Sequence, residues 1–378
     1  MSSQQSHVHH YVPEWYQRRF LWPGQFKFHY LNLQPETVSS NGVKYQRRSL
    51  RHWGPARCFY KDDLYTLKLG DWTTDQIEKL FFGVIDNRGR RAVRLFGDYS
   101  GFGKGVPEAF QGLTQYMDAQ RFRTPRGLDW LRATVDLRNH NQTLMVMQRA
   151  FQFHTTMWTE GVWEIVSARQ SPTKFIVIDE PVAFFNRRAY PTECMYPEDV
   201  GLDQVGTRTL FPLSLDACLI ITHTQLVRNP WMNPTTTRAN ARAYQQTMRY
   251  LADIQFGREL EEYEVLRINY ILKKRATRYI AAAREEWLYP ERHASTTDWS
   301  KLDDDWFLFP NPYKVEFSTG IMVGWKDGSS SAIDEYGRPP WHPQYDDEAA
   351  RQKEWETRIE AQKTWAKKRA GKSLAHVE

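Results

Sequence analysis

Five short strand-like runs in the middle of the chain constrain its fold most strongly. They cover residues 163–168, 175–178, 182–185, 209–213 and 218–222. Apolar, β-branched and aromatic residues dominate these runs, and turn residues separate them. Runs of this kind are typical of strands that pair in an antiparallel or mixed sheet.

Helical patterns lie on both sides of these runs. Thr73 and Gln76 have the spacing of a capping box, and apolar residues follow at helical intervals as far as Phe96. Four further helices are predicted, over residues 108–120, 124–154 with a break near Asn139, 234–251 and 259–287. We therefore predict an α+β fold, mainly helical, with a mixed or antiparallel sheet built from short strands.

Composition divides the chain into three parts. Residues 1–290 carry the helix and strand patterns and are predicted to form a single globular α+β domain. Residues 291–345 are rich in Asp, Gly, Ser and Pro and are predicted to form a loop-rich appendage. Residues 346–378 are predicted to hold a charged C-terminal helix, with acids early and bases late, as the helix dipole favours.

The positive charge of the chain is concentrated at its beginning. The formal net charge is +6, and residues 1–57 contain two acidic residues against eight basic ones: Arg18, Arg19, Lys27, Lys44, Arg47, Arg48, Arg51 and Arg57. The remainder of the chain is balanced. A basic region of this kind favours a polyanionic partner such as nucleic acid, and a solvated basic surface is the alternative.

The composition also predicts a compartment. The three cysteines are far apart and show no paired spacing, which favours a reducing environment. Residues 1–6 are polar, without the apolar core of a signal peptide, and no run has the roughly 18 apolar residues of a membrane span. We therefore expect a cytoplasmic protein with no membrane partner, and the sequence leaves its oligomeric state open.

The stretch from His7 to Phe20 is the first candidate site. Pro13 favours an extended conformation before it, so alternation places His9 on one face and His10 with Val12 on the other. We expect the His10 face to point inward. His7 and His9, on one face, are candidates to share a metal ion, and His9 or His10 is a candidate general acid or base. The alternative is that they only form hydrogen bonds that fix the N-terminal arm.

Two further polar residues are candidates for catalysis. Asp179, followed by Glu180 and Pro181, ends an apolar strand, where a carboxylate can bind a metal, orient a histidine or cap a turn. Asn269 lies in the apolar stripe of a predicted helix, where its amide faces a ligand or bridges two elements. No ligand set is complete in the sequence, so a divalent metal stays an open option and the cofactor is unknown.

Basic residues near these positions are candidates for binding phosphate. Arg123 lies among three arginines at a predicted helix N-terminus, where backbone N–H groups also favour anions. Lys273 and Arg278 follow Asn269, and Arg19 lies in the opening stretch. Solvated or carboxylate-paired side chains are the alternative.

In this order, the landmarks resemble those of the DUF4238 family, a widespread, uncharacterised family of mainly bacterial proteins. The matching strings are His9-His10-Tyr11-Val12-Pro13, Arg123-Thr124-Pro125, Ile178-Asp179-Glu180-Pro181, Phe211-Pro212-Leu213-Ser214 and the helix with Asn269. The resemblance covers roughly residues 7–290. Ile178 replaces the usual Ser and Glu180 the usual Asn. The family has no settled activity to carry over, and the opening string also resembles the His-bearing hairpin of His-Asn-His nucleases.

These observations predict a nucleic-acid-directed phosphodiesterase, a nuclease that would act in bacterial defence or as a toxin. In this hypothesis His10 is the base, Asp179 aids a metal or orients the histidine, and Arg123 and Arg278 hold phosphate. The alternative is a non-catalytic protein that binds nucleic acid or protein and whose polar motif residues are structural. Whether the chain is an enzyme stays open at this point.

Overall fold

A computed structural model describes residues 7–40, 43–70, 72–137, 139–191, 200–238, 241, 250–315, 320–324, 326–334, 338–345 and 347–370. The strands of this part are β1 Val8–His10, β2 Phe28–Asn32, β3 Thr37–Ser40, β4 Val43–Gln46, β5 Leu50–Trp53, β6 Tyr60–Asp62, β7 Leu67–Leu69, β8 Trp72–Thr74, β9 Val162–Ser167, β10 Val177–Ile178, β11 Ala183–Phe185, β12 Arg208–Pro212, β13 Ala217–Thr222, β14 Gln255–Glu259, β15 Tyr279–Ala282, β16 Gly320–Gly324 and β17 Ser330–Asp334. The α-helices are α1 Glu14–Gln17, α2 Gly83–Gly97, α3 Val106–Arg123, α4 Pro125–Thr134, α5 His140–Arg149, α6 Thr155–Glu160, α7 Thr224–Arg228, α8 Glu262–Arg275 and α9 Glu348–Ala370. The predicted α+β class is confirmed.

Four of the five predicted strand runs lie in a five-stranded sheet, whereas the run over residues 175–178 contains β10, which belongs to a second sheet. The order of the five-stranded sheet is β11-β12-β13-β9-β14, antiparallel except for the parallel pair of β14 with β9. All of β12 and β13 and nearly all of β9 are buried. A strand buried on both faces is mostly apolar rather than alternating, which explains why these runs could be recognised in the sequence although Glu164, Arg208 and Thr209 are buried within the strands.

A second sheet of four strands joins distant parts of the chain. Its order is β10-β15-β2-β5, and each pair is antiparallel. Tyr30 of β2 lies opposite Arg51 of β5 and Ala281 of β15. Since side chains alternate along strands, one face of this sheet carries Tyr30, Arg51, Trp53 and Tyr279 together.

The helices partly follow the predicted pattern. A π-helical turn over Ile77–Phe82 leads into α2, which packs against α3, whereas the predicted cap Thr73 lies in β8. The helix predicted over 124–154 is broken near Asn139, as expected, and Asn139 caps α5 after the break. Most of the helix predicted over 234–251 lies outside the described residues. The single helix predicted over 259–287 is wrong, because α8 ends at Arg275 and Tyr279–Ala282 forms β15.

The end of α8 has a long-range cause. The Asp179 carboxylate accepts hydrogen bonds from the backbone N–H groups of Thr277, Arg278 and Tyr279, at 2.9, 2.6 and 2.8 Å. These N–H groups therefore cannot continue the helical ladder, and the next residues pair with β2 and β10 instead.

The charged C-terminal helix is confirmed as α9, Glu348–Ala370. Arg369 near its end pairs with Glu264 of α8 at 2.7 Å, and Trp365 packs beside a small apolar cluster. The proposed domain boundaries at 290 and 345 stay predictions. Among the described residues, no helix combines the length and apolar character that crossing a membrane requires.

Candidate functional site

The two motif histidines lie on β1, which pairs with β6. The His9 side chain is fully buried, stacks on Tyr65 at 5.3 Å, and its Nδ1 accepts a hydrogen bond from the Tyr65 N–H at 2.9 Å. His10 is partly exposed, and its Nε2 lies 3.9 Å from the Glu14 carboxylate. Burial lowers the pKa of His10, against the opposing influence of Glu14. The expectation that His10 rather than His9 faces inward is wrong, because the core surrounds His9.

Arg123 is enclosed by protein rather than open to a ligand. Its guanidinium contacts both oxygens of Asp86, at 2.6 and 3.3 Å, and donates to the His10 carbonyl at 3.2 Å. It also lies 4.4 Å from the centre of the Phe82 ring. The side chain thus ties the end of α3 to α2, to β1 and to the preceding π turn.

Asp179 and Asn269 also bond to backbone. Asp179 is the carboxylate that caps the turn after α8. Burial raises its pKa, and the three backbone hydrogen bonds oppose this rise. The Asn269 amide accepts from the Ile176 N–H at 3.3 Å and donates to the Lys174 carbonyl at 2.8 Å. It therefore joins α8 to the segment that enters β10.

The remaining phosphate candidates lie apart from these residues. Arg19 donates to the Leu213 carbonyl at 2.6 Å, and burial lowers its pKa. Lys273 contacts the Leu288 carbonyl and Glu291, both at 2.7 Å. Arg278 is more than a third exposed and donates to Glu36 at 2.8 Å. The eight predicted site residues therefore do not converge on one cleft.

Arg278 lies instead at the edge of a basic groove on the four-stranded sheet. The groove encloses about 360 Å³. Six cationic side chains line it: Arg47, Arg48, Arg51, Arg57, Lys61 and Arg278. We call it the arginine groove. Glu36 and Asp62 are the acidic residues that line it. Four of these six cations belong to the basic region noted at the beginning of the chain.

Aromatic rings form much of the floor of the arginine groove. Tyr30 stacks between Trp53 at 5.8 Å and Tyr279 at 5.1 Å, and the Arg51 guanidinium lies 4.9 Å from the centre of the Trp53 ring. Tyr60 at the rim is 41% exposed. Glu36 contacts Arg47 and Arg278, and the hydrogen bond from Arg278 holds the pKa of Glu36 below its ordinary value. The groove thus combines cationic side chains with aromatic rings.

A family model described as "Protein of unknown function (DUF4238)" matches residues 8–286. The chain belongs to the DUF4238 family. No curated protein and no solved structure matches it significantly. The matched range in this DUF4238 chain contains both sheets, the arginine groove and all eight predicted site residues, whereas α9 lies beyond it.

Sequence reasoning missed several residues of the groove in this DUF4238 chain. Trp53, Tyr60 and Lys61 were not predicted as site residues, although Arg51 and Trp53 lie two apart in a strand-like run. That spacing places them on one face, but only the pairing of β5 with β2 brings them to Tyr30 and Tyr279. Metal binding also stays without a ligand set, since the described residues contain no group of three His, Cys, Asp or Glu side chains placed to hold an ion.

Proposed function

We propose that the protein binds single-stranded nucleic acid in the arginine groove. The observation that carries the proposal is the presence of six cations and two acids around a floor of aromatic rings. Cations of this kind pair with backbone phosphates, and exposed ring faces stack on bases. A basic surface that is only solvated has no use for aromatic rings beside its cations. The rings therefore favour a nucleic-acid partner over this alternative.

The rings also favour a single strand over a duplex. Stacking on a side chain requires bases that are not already stacked and paired within a helix. Trp53 is half-buried and Tyr60 is exposed, so both offer ring surface at the groove. Arg51 occupies the face of Trp53 and Glu36 holds Arg47 and Arg278, so we expect these arginines to exchange their present contacts for phosphates.

The geometry favours the structural interpretation of the motif residues. His9, Arg123, Asp179 and Asn269 each contact backbone or a buried partner. A buried polar network of this kind helps to fix a fold. The predicted phosphodiesterase activity with His10 as base stays a prediction, and cleavage of labelled DNA and RNA with Mg²⁺, Mn²⁺ or Zn²⁺ by the wild type and His10→Ala tests it.

Fluorescence anisotropy with a labelled 20-nucleotide oligo-U and the matching oligo-dT tests the binding proposal. We expect Trp53→Ala to weaken binding by about tenfold, the typical effect of losing one stacked base. Arg51→Ala should weaken it several-fold. Arg149→Ala, which removes an exposed arginine at the end of α5, is the matched control and should bind as the wild type does. Equal affinity of all four proteins would contradict the proposal.

A further inference from the structure

A second cavity, of about 250 Å³, lies between α3, α4 and the segments around residues 154 and 180. By the volume of liquid water it has room for about eight water molecules. Its polar lining contains Arg121, Arg126, His154, Glu180 and Asp203. We call it the His154 cavity.

His154 is held by a buried carboxylate. Its Nδ1 lies 2.7 Å from Oδ1 of Asp118, which is fully buried within α3. The Asp118 carboxylate also accepts from the backbone N–H groups of Phe153 and His154, at 3.1 and 3.0 Å. A carboxylate at Nδ1 favours the tautomer with the proton on that nitrogen, and in this tautomer Nε2 carries the lone pair of the imidazole.

Glu180 supplies a second proton-transfer group to the same cavity. Burial raises its pKa to about 7, although Arg121 and Arg126 oppose the rise and Asp179 adds to it. Its Oε2 lies 3.9 Å from Nη1 of Arg121. The carboxyl group therefore keeps a proton to near-neutral pH, which a general acid requires.

The other walls of the cavity carry arginines and aromatic rings. The Arg121 guanidinium lies 4.3 Å from the centre of the Phe184 ring, and its Nη1 also contacts the Val182 carbonyl at 3.2 Å. Arg126 lines the same space. The aromatic lining consists of Phe122, Trp130, Phe153 and Phe184. Arginines bind phosphate oxygens, and aromatic faces stack on bases.

We propose that the His154 cavity is an acid–base site that cleaves ribonucleotide phosphodiesters through the 2′-hydroxyl group of the substrate. An internal nucleophile suits this set of residues, because the protein then needs only to move two protons and hold the phosphate. His154 is the base, Glu180 the acid, and Arg121 and Arg126 the phosphate ligands. Asp118 is a positioning residue that acts through His154.

The reaction balances without a further reactant. Nε2 of His154 takes the 2′-hydroxyl proton as O2′ forms its bond to phosphorus. The bond between phosphorus and O5′ breaks, and the leaving O5′ takes the proton of Glu180. The products are a 2′,3′-cyclic phosphate and a 5′-hydroxyl group. Solvent then returns a proton to Glu180 and removes one from His154.

The choice of a ribonucleotide rests on the proposed function, and the test keeps the two separate. The ribodinucleotide UpA is too short to require the arginine groove. Failure to bind long oligonucleotides would therefore overturn the groove proposal without affecting cleavage of UpA, and failure to cleave UpA would leave the groove proposal intact.

The experiment follows UpA and its 2′-deoxy analogue by chromatography, in buffer with EDTA, using the full chain. We expect the wild type to release adenosine and uridine 2′,3′-cyclic phosphate from UpA alone. His154→Asn and Glu180→Gln should each lower kcat/KM by about 100-fold or more, the usual contribution of one acid or base. His293→Asn, at an exposed histidine outside this lining, is the control purified in parallel.

The pH profile distinguishes chemistry from folding. In the wild type the rate should fall above about pH 7, as Glu180 loses its proton. Asp118→Asn should lower kcat at each pH at which circular dichroism shows the variant folded. Absence of cleavage by the wild type, cleavage of the deoxy analogue, or equal cleavage by His154→Asn and His293→Asn would overturn the proposal. If His154→Asn does not fold, the same comparison with Glu180→Gln decides it.

Discussion

The motif residues and the arginine groove use the same kinds of side chain in opposite ways. Arg123, Asp179 and Asn269 are buried; Asp179 and Asn269 contact backbone, and Arg123 contacts backbone and the partly buried Asp86. In the groove Arg51 lies on a ring and Arg278 pairs with an exposed carboxylate. Buried polar contacts cannot be exchanged without loss of stability, whereas exposed ones can be given up to a ligand. The comparison separates residues that build the fold from residues available for a partner.

Truncating one arginine from each region should give the largest contrast. Arg123→Ala leaves the Asp86 carboxylate without its guanidinium partner, and breaking a buried pair typically costs about 4 kcal/mol. Arg51→Ala should change the free energy of unfolding by less than about 0.5 kcal/mol, as for most surface substitutions. Urea unfolding followed by circular dichroism measures both. A loss below about 1 kcal/mol for Arg123→Ala would mean that Arg123 does not hold the fold.

The fold could be predicted from the sequence where local patterns determine the structure. Three of the five strand runs were found because β9, β12 and β13 are buried on both faces and therefore rich in apolar residues without strict alternation. The helix predicted over 259–287 failed because Asp179, almost a hundred positions earlier, takes the N–H groups that would have continued it. No local pattern contains such a contact.

The candidate sites could be predicted only in part, because they too depend on contacts between distant parts of the chain. The charge excess pointed to the correct end of the chain for the arginine groove, and of the eight predicted residues Arg278 lines it. The groove itself depends on the pairing of β2 with β5 and β15. The pairing of His154 with Asp118 joins residues 36 positions apart, and a histidine and an aspartate at that separation carry no recognisable spacing.

Glu180 allows a test inside the motif itself, because it follows Asp179 but lines a cavity. Burial raises its pKa from 4.5 to about 7. Between these values the folded chain keeps a proton that the unfolded chain releases, so stability should fall as pH rises from 4.5 to 7. The full effect is roughly 3 kcal/mol. Glu180→Gln should remove this part of the pH dependence in urea unfolding.

The control for this measurement is Glu259→Gln, at an exposed position of β14, which should keep the wild-type slope. Glu78 also has a pKa raised by burial to about 7 and contributes to the slope in every variant, so the difference between proteins isolates Glu180. If the stability of Glu180→Gln depended on pH as that of the wild type does, the Glu180 carboxyl group would be in contact with water in the folded protein, like the exposed carboxylates of the arginine groove.

The smallest expected effect separates the two kinds of contact within the groove. For a single strand, the logarithm of the binding constant should fall with the logarithm of salt concentration by about 0.7 per phosphate contact. Arg51→Ala should therefore reduce the slope by about 0.7, because one phosphate contact is lost. Trp53→Ala should weaken binding without changing the slope, because stacking releases no counterions. Anisotropy titrations between 50 and 200 mM salt, about the range in which such slopes are resolved, measure both. If both variants changed the slope equally, Arg51 and Trp53 would act as one unit, and the groove would bind anions without stacking on bases.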